Sequence, residues 1–101
     1  MVEQGPMTEA MYYILLALTK PGYGYGMMQR IRELSRGRIE MGPGTLYGVL
    51  IRMKKEGLIT LTGDDGRRKN YEITDAGRQA LLAEYRRLQD LVRDGAILEG
   101  E

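Results

Sequence analysis

The sequence predicts a mainly α chain with one small β-hairpin, laid out as a winged helix-turn-helix with a C-terminal dimerisation helix. Three observations predict it. Gly42-Pro43-Gly44-Thr45-Leu46-Tyr47 opens an amphipathic helix with a basic outer face. A hairpin pattern follows, with Arg67-Arg68-Lys69 near its tip. A long helix then carries Leu81, Tyr85, Leu88 and Val92 at spacings of 4, 3 and 4, which is a heptad seam.

Met1–Met7 reads as a flexible arm (residues 1–7). Thr8 suits an N-cap, with Glu9 in the first turn. The helix from Glu9 to about Thr19 is apolar nearly all round, as a central core helix or one shared with an interface must be. Lys20-Pro21-Gly22 ends it. Tyr23-Gly24-Tyr25-Gly26 opens a second helix, buried along Met27, Ile31 and Leu34 and stopped by Gly37. Residues 38–41 form a short link. Two helices so joined, the second turned outward, make a helix-turn-helix.

The second of these starts well. Pro43 costs nothing in a first helical turn, and Gly42 is an acceptable N-cap. Leu46, Val49, Leu50 and Met53 recur at i, i+3, i+4 and i+7, a buried stripe. The opposite face carries Thr45, Gly48, Ile51, Arg52 and Lys55. Gly57 stops the helix, and Lys54 and Lys55 complement its dipole. Short residues first and cations later suit a helix that approaches base edges while its Arg and Lys hold phosphates. Thr45, Tyr47, Gly48, Arg52 and Lys55 are therefore candidate DNA contacts, with Tyr47 at the phosphate edge.

Leu58–Thr62 is aliphatic and β-branched, Gly63-Asp64-Asp65-Gly66 is a turn cluster, and Asn70–Ile73 alternates as a return strand. Two strands alone are marginal in water, so the hairpin must pack on helices. Alone, Arg67, Arg68 and Lys69 read equally as a solvated tip; beside a basic helix they read as phosphate or minor-groove contacts. Residues 8–73 thus form the winged helix-turn-helix. Thr74-Asp75 caps a last helix that outruns the compact domain (residues 74–95) and must bury its stripe somewhere, so Leu81, Tyr85, Leu88 and Val92 are assigned to a homodimer interface. Residues 96–101 read as a frayed end.

At 101 residues the chain has room for one core. It lacks cysteine and histidine, which removes disulfides, thiolate metal sites and the most usual catalytic base. No phosphate loop or paired-carboxylate constellation is visible, so an enzyme has no support and no cofactor is expected. Met11–Leu18 is too short to span a membrane and no signal peptide is visible, so the chain reads as cytoplasmic, with no membrane partner. Net charge is only +1, but residues 36–70 hold eight Lys/Arg against four Asp/Glu. A local basic patch on a near-neutral protein suits specific DNA binding.

The blocks YYILLAL (12–18), GYGYG (22–26), GPGTLY (42–47), KEGLI (55–59), RRKNY (67–71) and ITDAG (73–77) together resemble the PadR family of bacterial transcriptional regulators, over about residues 8–92. The resemblance implies a winged helix-turn-helix dimer on double-stranded operator DNA. It implies a repressor released by a small molecule, with Pro43–Glu56 as recognition helix and Leu58–Ile73 as wing. With a single C-terminal helix the chain resembles the short subgroup, some members of which hold flat aromatic drugs between tryptophans. Here there is no Trp or Phe; Met11, Tyr12, Tyr13 and Tyr85 are the candidates to line an aromatic effector pocket, or else are ordinary core and interface residues. The alternative to DNA binding is a winged-helix module for protein–protein contact.

Overall fold

The computed structural model describes residues 6–64, 66 and 68–100. In chain order it has α1 (Glu9–Ala17), β1 (Gly22–Tyr23), α2 (Gly24–Leu34), α3 (Pro43–Lys55), β2 (Ile59–Asp64), β3 (Lys69–Ile73) and α4 (Asp75–Asp94), then a 3₁₀ turn, Gly95–Leu98. The Thr8 side chain accepts from the Met11 amide at 3.1 Å, so the predicted cap of α1 forms. Helix α1 is the centre of the core. Its Ile14 and Leu15, and Leu18 just past its end, are fully buried with Met27 and Ile31 of α2 and Leu46, Leu50 and Met53 of α3. The C-terminal end of α1 is closed by Arg30 of α2, whose guanidinium donates to the Ala17 and Lys20 carbonyls at 2.7 Å each and to Pro21 at 3.3 Å. Those carbonyls lack intrahelical partners, and a guanidinium fork satisfies several at once.

Helix α2 ends differently from the expectation. The Gly37 amide reaches back to Arg32 O at 2.8 Å and Arg36 N to Glu33 O at 3.1 Å. Arg36, at φ +55°, and Gly37, at φ +78°, are both left-handed, so the stop at Gly37 forms but begins one residue earlier. Helix α3 ends as its sequence suggests: Gly57 takes φ +78°, and Leu58 N donates to Met53 O at 3.0 Å. The sheet has three strands, order β1-β3-β2, all antiparallel. The hairpin gains its third strand from Gly22-Tyr23, paired with Tyr71 and Asn70. A two-residue strand with a glycine carries no periodicity, and pattern alone puts Gly22 in the break after α1 and Tyr23 at the opening of α2. Tyr71 and Ile73 face inward as expected, while the β2–β3 register slips between Leu61 and Gly63.

Helix α4 docks by its first turns. Thr74 Oγ1 accepts from Gly77 N at 3.0 Å and donates to the Gly57 carbonyl at 2.6 Å, so one side chain caps α4 and ties it to the end of α3. Gly77, Ala80, Leu81 and Glu84 are its buried residues. Beyond Glu84 the helix leaves the core. The radius of gyration is 14.9 Å, against about 13 Å for a compact chain of 100 residues. The protrusion of α4 agrees with that excess. Three expectations change here. Met7 is half-buried against the core, and its backbone amide serves Glu84, so it is not part of a loose arm. Leu81, 7% exposed, belongs to the chain's own core and not to an interface, because it lies on the docked turns of α4. Residues 95–98 continue as a 3₁₀ turn where fraying from 96 was expected, although Ile97 and Leu98 stay exposed.

Candidate nucleic-acid interface

Helix α3 buries Leu46, Leu50 and Met53 and half-buries Val49, which turns Thr45, Tyr47, Gly48, Ile51, Arg52 and Lys55 outward. A Cβ added at Gly42, Gly44 or Gly48 would meet nothing within 4 Å, so the leading half of this face is open space. Further along, Arg52 Nε donates to Glu56 Oε2 at 3.2 Å, an exposed pair one turn apart. A phosphate competing for Arg52 meets that carboxylate. Glu56→Gln should therefore tighten binding to DNA by about threefold, the worth of a surface pair. Equilibrium titration checks this; unchanged or weaker binding would place Arg52 away from the phosphates.

Tyr47 is 43% exposed, but its hydroxyl is seated on Gly24, the first residue of α2. The Tyr71 hydroxyl is pushed above its ordinary pKa, chiefly by burial and then by Tyr47 and Asp64 nearby. Tyr47 thus also belongs to the joint between α3, α2 and the sheet. On the wing, Gly66 at φ +87° donates its amide to Asp64 Oδ1 at 3.0 Å and closes the turn. Lys69 is exposed. The Arg68 guanidinium lies over the Tyr23 ring, 4.5 Å from its centroid. Arg67, the third predicted wing contact, lies outside the described residues. Sequence reasoning left out Tyr23 and Tyr25. Tyr25, 61% exposed in the first turn of α2, accepts from Gln29 Nε2 at 3.3 Å. The repeated glycine-tyrosine pattern of residues 22–26 was their signal.

The second candidate surface lies on α4. Tyr85 (48% exposed) and Val92 (74%) face outward with Leu88 half-buried, and Leu91, Ile97 and Leu98 extend the exposed apolar area. An open groove of about 530 Å³ runs between α1 and α4, lined by Tyr12, Tyr85, Leu88, Gln89, Val92 and Arg93 among others. Burial first, then Tyr85, raises the Tyr12 hydroxyl's pKa. Of the four predicted effector residues, the structure brings Tyr12 and Tyr85 to this groove. Met11 is buried in the core instead. Tyr13 meets Tyr12 edge-to-face at 5.9 Å, and its hydroxyl accepts from Arg38 at 2.9 Å, on the side of the α2–α3 link. Both are turned away because successive residues of a helix point about 100° apart. Below the groove, Glu84 is buried beside Arg87, whose Nε and Nη2 donate to it at 2.9 and 2.6 Å. Arg87 holds the Glu84 carboxyl below the usual carboxylate range, against the effect of burial.

Among the described residues no group of His, Cys, Asp or Glu could hold a metal ion, and no helix is long and apolar enough to cross a membrane. A helical core, an outward helix and a three-stranded wing define the winged-helix class. The chain belongs to the PadR-like family of transcriptional regulators, which matches residues 14–83. It is 42% identical over 66 residues to the transcriptional regulator Rv3488 of Mycobacterium tuberculosis, a match covering 62% of each chain. The chain thus spans less than two thirds of that relative's length. Among solved structures, a PadR family transcription regulator from Clostridium difficile superposes with a TM-score of 0.76 at 23% identity, covering 93% of this chain and 100% of the other. A PadR family regulator from Eggerthella lenta gives 0.69 at 28% identity, covering 86% and 74%.

Proposed function

We propose that the chain is a sequence-specific DNA-binding regulator that acts as a homodimer and represses until a small aromatic molecule releases it. One observation carries the DNA reading. The outer face of α3 is bare around Gly48 and cationic beyond it. Such a face admits base edges to the backbone and Thr45, while Arg52 and Lys55 hold phosphates. Arg67, Arg68 and Lys69 add a cationic wing for the backbone or minor groove. The outward stripe of Tyr85 and Val92, exposed, with half-buried Leu88 between them supports a second copy as its partner, and the Tyr12–Tyr85 groove supports an aromatic ligand. Membership of a family of transcriptional regulators supports the regulatory role, and repression with release is the form of it proposed here.

Ile51, 66% exposed beside Tyr47, favours one other reading, a winged-helix module that docks on protein. On DNA the same side chain is an apolar contact for a thymine methyl. Gly48→Glu separates the two. A carboxylate placed in the groove faces phosphates, and like-charge juxtaposition costs several kcal/mol, so affinity for DNA selected from a random pool should fall by about 100-fold or more. The fold should persist, since the site is open and glutamate outranks glycine as a helix former by roughly 0.5–1 kcal/mol. A well-folded variant that binds like the parent would turn α3 away from DNA. A parent chain that selects no DNA would favour the protein-docking reading.

A further inference from the structure

Residues 22–26, Gly-Tyr-Gly-Tyr-Gly, touch both halves of the proposed DNA surface at once. Tyr23 pairs with Asn70 of the wing strand β3, and its ring carries the Arg68 guanidinium at 4.5 Å. The ring lies alongside the bare Cα of Gly26, where a built Cβ would stand 3.7 Å from its Cε1. One residue on, the bare Cα of Gly24 seats the Tyr47 hydroxyl of α3; a Cβ there would overlap that oxygen. The corner where β1 becomes α2 therefore contacts the wing through one residue and the recognition helix through the next.

We propose that Tyr23 is a positioning residue for DNA recognition: its ring seats Arg68 and so fixes the wing's cation relative to α3. The proposal rests on the DNA reading above. Stacking holds a guanidinium by its face, whereas phosphate recognition uses its in-plane N–H edge, so the two are compatible. A long flexible cation that is already seated loses less rotamer freedom when DNA arrives. Arg68 and Tyr23 stand 45 residues apart in sequence, so only the pairing of β1 with β3 brings them together.

The test uses the full chain with Tyr23→Leu, Tyr23→Phe, Arg68→Ala and the Tyr23→Leu/Arg68→Ala double variant. In the free protein, the Arg68 side-chain Nε–H resonance should carry an upfield ring-current shift, kept in Tyr23→Phe and lost in Tyr23→Leu. On selected DNA, Tyr23→Leu should weaken binding about 3- to 10-fold, in line with a cation–π contact, while Tyr23→Phe restores it. In the Arg68→Ala background the Tyr23→Leu loss should largely vanish, because the two act as one unit. An unshifted Arg68 resonance in the parent overturns the proposal. So does a Tyr23→Leu loss that is fully additive with Arg68→Ala, which would mean Tyr23 acts through the fold alone. If the parent binds no DNA, the DNA reading fails, and the resonance alone decides whether the seat exists.

Discussion

Gly77→Ala should be among the most destabilising single-methyl substitutions in this chain. The added Cβ would overlap the Leu58 carbonyl oxygen and stand 2.9 Å from Ile73 Cγ1. The obstructing oxygen is backbone, locked by the hydrogen bond it accepts from Thr74 N at 3.0 Å. It cannot rotate away as a side chain would. Relief requires α4 to lift from the end of α3, which also strains the Thr74 cap and the contacts of Ala80 and Leu81. Alanine's better helix propensity offsets only about 1 kcal/mol. A net loss of about 3 kcal/mol, typical of overpacking at a rigid contact, corresponds to a melting temperature lowered by roughly 12 °C or more. Thermal unfolding followed by circular dichroism measures it. A variant within a few degrees of the parent would mean that α4 does not dock as described.

Leu88→Asp should separate the protomers of the proposed dimer. Leu88 is half-buried in the monomer and flanked by exposed Tyr85 and Val92, so it sits at the middle of the stripe assigned to the second copy. Two-fold symmetry brings in two such carboxylates at once. Each unpaired buried charge costs about 3–5 kcal/mol, enough to raise the dimer dissociation constant by two orders of magnitude or more. Sedimentation at micromolar concentration should show a folded monomer, and DNA affinity should fall with it. A variant that sediments as a dimer would move the interface off this stripe. Leu81→Asp differs in kind, because Leu81 lies in the core and its replacement should unfold the monomer.

That contrast marks what the sequence could and could not tell. The 4-3-4 spacing of Leu81, Tyr85, Leu88 and Val92 marks one face of α4, but spacing carries no information on which turns dock at home. The burial of Gly77, Ala80, Leu81 and Glu84 draws that line, between Glu84 and Tyr85. Helix α3 was legible almost to the residue because its signals are local: proline at its start, a glycine at φ +78° after its end, and a stripe of period 3.6 between. Strand β1 was not, since two residues cannot show alternation and are held by a partner strand far along the chain. The same holds for Arg30 on the α1 carbonyls and Arg68 on Tyr23. Both are long-range uses of a guanidinium that composition reads simply as charge. In the candidate site, exposure of Thr45, Gly48, Arg52 and Lys55 followed from periodicity, whereas the seating of Tyr47 on Gly24 required the packing of α2 against α3.

In the proposed function the α3 face and the wing together bind the phosphate-lined surface of duplex DNA. The most direct test is equilibrium binding of the parent chain to its selected duplex between about 50 and 200 mM salt, a range over which phosphate contacts are read as a slope. Each neutralised phosphate should contribute about −0.9 to the dependence of log affinity on log salt. A dimer using Arg52, Lys55 and the basic wing of each protomer should therefore show a steep slope, made shallower by replacing Arg67 and Arg68 together with Ala. A slope near zero, or one that the wing substitutions leave unchanged, would contradict it.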